Sequence, residues 1–65
     1  MTSDIDIYRT AAVILKEHGD DAEMYAMLRA DELLDAGDVE GQITFLKIVA
    51  AIREIENIEP TSSLH

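Results

Sequence analysis

The sequence predicts an all-α fold, a compact three-helix bundle, and three observations predict it. Two Gly-Asp pairs, Gly19-Asp20 and Gly37-Asp38, lie 18 residues apart. Apolar residues around them recur at the three- and four-residue spacing of amphipathic helices. The one proline, Pro60, lies close to the C-terminus. Glycine ends a helix by taking the left-handed conformation. Aspartate starts one, because its carboxylate accepts hydrogen bonds from the first free amides. Each pair therefore reads as a stop followed at once by a start, and two pairs divide the chain into three helical segments.

The first helix is expected over residues 4–18. Thr2 and Ser3 are candidate N-caps, and Ser3 with Asp6 has capping-box spacing. Asp4 and Asp6 suit the positive helix start, Lys16 and His18 the negative end. Ile5, Ile7, Tyr8, Ala11, Ala12, Ile14 and Leu15 share one broad face, and Val13 alone falls outside it. The second helix is expected over 21–36, capped by Asp20, with Ala22, Ala26, Met27, Ala30, Leu33 and Leu34 as its inward stripe. Its three alanines permit close approach of a neighbour. Met24 and Leu28 lie on another face, and Tyr25 and Arg29 are spaced to stack.

The third helix is expected from Val39 to Asn57 or Ile58, with Asp38 as its cap. Gly41 falls in its first turn, where glycine costs less than in mid-helix. Pro60 ends it, since a residue before proline avoids the helical region. One domain thus covers residues 1–58, and residues 59–65 read as a disordered polar tail. This helix carries two apolar stripes. Val39, Ile43, Leu46 and Ala50 form one; Phe45, Ile48, Ile52 and Ile55 form the other. A helix apolar over so much of its circumference is expected to be covered on more than one side. The Phe45-Ile48-Ile52-Ile55 stripe is the candidate interface of a homodimer, and that pairing predicts that Ile52→Glu yields a soluble monomer.

Composition narrows the functional classes. A chain of 65 residues without cysteine has no disulfide and no thiolate metal site. A domain so small is marginal unless something such as self-association helps it. The net charge of -9 argues against direct binding to nucleic acid or to an anionic membrane. It leaves room for a basic protein partner. The longest apolar runs, Ala11 to Leu15 and Ile48 to Ile52, are too short to span a bilayer. No secretory leader pattern is read, so a cytoplasmic location is expected.

Catalytic signatures are missing. There is no cysteine nucleophile, no Gly-x-Ser-x-Gly elbow and no phosphate-binding loop. Glu17-His18-Gly19-Asp20-Asp21 is the best polar cluster. It reads first as a helix end followed by a cap, and only second as a carboxylate-imidazole site. No metal or cofactor is expected, and no catalytic residue is assigned. Asp31, Glu32 and Asp35 form an acidic ridge on the second helix. Tyr8, Tyr25 and Phe45 do not interleave with basic residues as a nucleic-acid stacking platform requires.

From Ile7 to Glu54 the chain resembles a group of small alphaproteobacterial helical proteins with no assigned activity. The resemblance rests on His18-Gly19-Asp20-Asp21-Ala22 and on Arg29-Ala30-Asp31-Glu32-Leu33-Leu34-Asp35-Ala36-Gly37-Asp38-Val39-Glu40-Gly41. Members of that group often carry a tryptophan near the position of Phe45 and a more basic segment after it, where this chain departs. The resemblance implies a bacterial or phage cytosolic origin and a compact helical fold, and transfers no catalytic residue. The expected function is therefore that of a small non-enzymatic protein acting by self-association or docking. The alternative is an acidic phage or mobile-element inhibitor that occupies the nucleic-acid site of a basic host protein.

Overall fold

The computed structural model describes residues 3–58, and these are helical from end to end apart from the caps and one turn, with no strand among them. Helix α1 spans Asp4–His18, a single 3-10 turn covers Gly19–Asp21, α2 spans Ala22–Asp35 and α3 spans Val39–Ile58. The Pro60 stop and the tail over 59–65 lie outside the described residues, as does Thr2.

Each junction has a local chemical cause. Ser3 opens α1, its Oγ accepting from the Asp6 amide at 3.3 Å. Gly19 closes α1 at φ +56°, and its amide donates to the Leu15 carbonyl. The first Gly-Asp pair then departs from expectation. Asp20 does not cap α2; it lies inside the 3-10 turn, and α2 begins one residue late, at Ala22. The residue before α2 is Asp21, whose backbone is not extended and whose side chain makes no capping bond. A turn that keeps coiling after Gly19 leaves no extended residue from which a carboxylate can reach back over the first amides.

The second pair does both jobs at once. Gly37, at φ +83°, donates to the Leu34 carbonyl at 2.9 Å, and the Asp38 amide donates to the Leu33 carbonyl at 2.8 Å. These are the two bonds of a Schellman stop. Asp38 then starts α3: its Oδ1 accepts from the Gly41 amide at 2.9 Å and its carbonyl accepts from the Gln42 amide at 3.0 Å. A Cβ placed on Gly41 would lie 2.5 Å from Asp38 Oδ2. Glycine there lets the capping carboxylate fold down over the helix end.

Helix α2 runs antiparallel to α3. Glu23 meets Arg53 near one end and Arg29 lies over the Phe45 ring further along, 5.9 Å from its centre. Helix α1 runs alongside the C-terminal half of α3 in the same direction. Its first two turns, at Asp4 and Tyr8, face Lys47 and Glu54, and its last, at Leu15 and Lys16, faces Ile55 and Glu56. The distal part of the α2–α3 hairpin projects beyond α1, which accounts for the elongated outline of 43 × 22 × 16 Å. The core contains Ile7, Ala11, Ile14, Ala22, Ala26, Ile48, Val49, Ala51 and Ile52.

Asp38→Ala should cost about 1 kcal/mol of stability, the usual worth of an N-cap. Gly41→Ala should gain less in the natural chain than in the Asp38→Ala background, where no carboxylate competes with the new methyl. There the alanine should add up to about 1 kcal/mol. Urea unfolding of the four proteins measures the coupling; additivity to within about 0.3 kcal/mol would show that Gly41 and the cap are independent.

Candidate association surface

The two stripes of α3 exchange the roles read from sequence. Ile48 and Ile52 are 3% and 0% exposed, and Phe45 and Ile55 pack half-buried against the same core. Those four residues are therefore interior to a single chain, not an interface. The stripe not read as the interface is the open one: Val39, Ile43 and Leu46 are 53%, 46% and 41% exposed, and Ala50 is exposed beside them. At about 100° per residue, the open stripe is centred on the side of α3 opposite the core.

The physical reason is the alanine seam on α2. Ala22, Ala26 and Ala30 are each at most 1% exposed. With so little side chain between them, α2 and α3 approach closely, and the bulkier α3 stripe fills the space between α2 and α1. Of the ten apolar residues fully inside, five are alanine, whereas eleven large apolar residues remain exposed among the described residues. The imbalance is unusual, because scattered exposed apolar residues are ordinary but contiguous ones mark contact sites.

Two of the exposed residues on α2 extend the open stripe. Met27 and Leu34, expected inside, are 43% and 48% exposed. They share a flank of α2 with Glu23, which reaches Arg53 at 2.8 Å on the adjoining flank of α3. The Glu23–Arg53 contact places this flank of α2 on the same side of the hairpin as the open stripe of α3. Five side chains thus form one apolar face on the hairpin, on the order of 400 Å² of open surface.

Several polar groups make contacts within the fold. His18 does not join Asp20 and Glu17 in a site; its ring stacks on Tyr25 at 4.1 Å between centroids. Tyr25 is thereby taken from the expected stack with Arg29, which instead pairs with Glu32 at 2.7 Å. Tyr8 donates to a Glu54 carboxylate oxygen, tying α1 to α3. That bond, with the Glu54 charge, pushes the Tyr8 phenol up. Two shallow grooves flank α1, of about 220 and 320 Å³. No group of three His, Cys, Asp or Glu suited to a metal occurs among the described residues. No described helix is long and apolar enough to cross a membrane.

Comparison with protein-family models, with curated proteins and with solved structures finds no match to this chain.

One carboxylate pair adjusts the α2–α3 contact. The Arg53 hydrogen bond holds the Glu23 carboxyl below its ordinary value, while desolvation and then the adjacent Glu23 carboxyl push Glu56 up. The signs differ. Glu23 adds stability above the ordinary carboxylate range, and that contribution is lost as pH falls through its lowered value. Glu56 favours the fold when protonated, and that contribution is lost as pH rises through its raised value. Glu56→Gln should therefore raise the melting temperature slightly at pH 7, and the gain should fade below about pH 4. Circular dichroism melts at the two pH values measure it. Ile52→Glu should unfold the chain at 25 °C instead of releasing a folded monomer, because it places a charge at a fully enclosed site.

Proposed function

We propose that this protein works by non-covalent association and not by catalysis, and that its primary partner is a second copy of itself. The observation that carries this reading is the apolar face of Met27, Leu34, Val39, Ile43 and Leu46, left open on a chain whose own interior is half alanine. In this reading the three helices form a small bundle that its copy completes. A two-fold stack of this face covers on the order of 800 Å² in total, which is the size of weak, exchanging interfaces. The protein then interconverts between monomer and homodimer with its concentration. A bacterial or phage origin and a cytoplasmic setting, with neither membrane nor direct nucleic-acid binding, complete the proposal.

A second reading is supported by charge. Asp31, Glu32 and Asp35 line the exposed side of α2, and the chain carries a net charge of -9. Such a surface suits docking on a basic protein in place of nucleic acid. Salt separates the two readings. Self-association brings together two chains of like charge, so added salt should tighten it. Docking on a basic partner should weaken as salt is added.

Sedimentation or light scattering from about 10 to 500 µM should show a monomer–dimer equilibrium that strengthens between low salt and 0.15 M. Leu46→Glu should retain the helical circular dichroism of the natural chain and remain monomeric throughout. A natural chain that is monomeric over the whole range would remove the homodimer.

A further inference from the structure

The open stripe of α3 has a repeat that its copy can read. Val39, Leu46 and Arg53 recur every seven residues, as do Ile43, Ala50 and Asn57, so the two sets alternate at four- and three-residue spacing. That is the seam of a coiled-coil contact. Along one flank of the seam lies a third set at the same repeat, Glu40, Lys47 and Glu54. Glu54 holds Tyr8 of its own chain. Neither the Glu40 carboxylate nor the Lys47 ammonium has an ion-pair partner within the chain among the described residues.

We infer that two copies pair through α3 in antiparallel orientation, with Ile43 of one copy layered on Leu46 of the other and Val39 on Ala50, so that Glu40 of each meets Lys47 of its partner. This rests on the self-association proposed above and adds its orientation and register. Antiparallel helices related by a two-fold axis bring like flanks together. Layering Ile43 on Leu46 puts Glu40 and Lys47 between the same two apolar layers, and the symmetry makes the pair twice. The small Ala50 side chain lets the helices approach at the outer layers. A parallel pair would instead set this flank against the opposite one, occupied by Gln42, Val49 and Glu56. It would offer Glu40 and Lys47 no opposite charge, and would put Glu54 near Glu56. Local balance also explains how chains of net charge -9 could meet here, since the ion pairs offset part of the general repulsion.

Charge reversal tests the register. Glu40→Lys lowers the net negative charge and Lys47→Glu raises it, so general repulsion alone would make the first associate more tightly and the second less. The antiparallel register requires both to weaken self-association, by roughly three- to tenfold in dissociation constant. An equimolar mixture of the two, and the double variant Glu40→Lys/Lys47→Glu, should each return to within about twofold of the natural chain, because opposite charges face each other again. Sedimentation equilibrium at matched salt reads all five samples, with circular dichroism confirming the helices. A dimeric natural chain combined with tighter or unchanged association of Glu40→Lys, or with no recovery in the mixture, overturns the register and leaves self-association standing. A monomeric natural chain removes both.

Discussion

The close approach of α2 to α3 along Ala22, Ala26 and Ala30 is the constraint on which the rest of the structure depends. An alanine contributes almost no side-chain entropy cost and almost no bulk. A seam of three brings two helix backbones together but encloses little apolar area per residue. Large side chains of α3 therefore fill the one roomy space, between α2 and α1. Ile52, at the centre of that space, is the one large side chain among the described residues that is fully enclosed. Everything bulky on the far side of α3, and on the flank of α2 beside it, is left outside. The shape of the interior and the character of the surface thus follow from one choice of small residues on one helix.

Electrostatics divides that surface. The outer face of α3 has Glu40, Lys47, Arg53 and Glu54 around it, two charges of each sign. Much of the excess acid lies elsewhere, at Asp20 and Asp21 on the corner and at Glu32 and Asp35 on α2, while Asp31 borders Met27 and Leu34. Far-reaching repulsion therefore arises largely away from the apolar patch and is screened over about 8–10 Å in ordinary salt. Apolar contact acts at short range, where the local charges balance. The two influences differ in range and in place, so the strong acidity of the chain does not conflict with the self-association proposed above.

Much of this was legible in the residues. The limits of α1, the start of α3 and the double role of the second Gly-Asp pair all follow from caps whose chemistry is local. The first pair misled because a glycine stop need not be followed by an extended residue; the chain coiled on through Asp20 and Asp21. The two stripes of α3 were both visible, but their roles were reversed, since periodicity reports that a face is apolar and not what covers it. A signal was present. Arg53, Glu54 and Asn57 fall within about 60° of the Val39–Ala50 line, so that stripe turns polar before α3 ends, whereas its rival stays apolar through Ile55. The coupling of His18 to Tyr25 and of Tyr8 to Glu54 had no such signal, because each depends on how helices distant in sequence are laid side by side.

Asp38 has a consequence of its own. Its backbone amide completes the stop of α2, while its carboxylate and carbonyl open α3. The two helix ends share one residue, so neither can fray there without disturbing the other. The amides of Gly37, Asp38, Gly41 and Gln42 should then exchange with solvent deuterium as a group, with a common opening free energy. An opening of this tip would displace Leu34 and Val39 together, since both flank the shared residue.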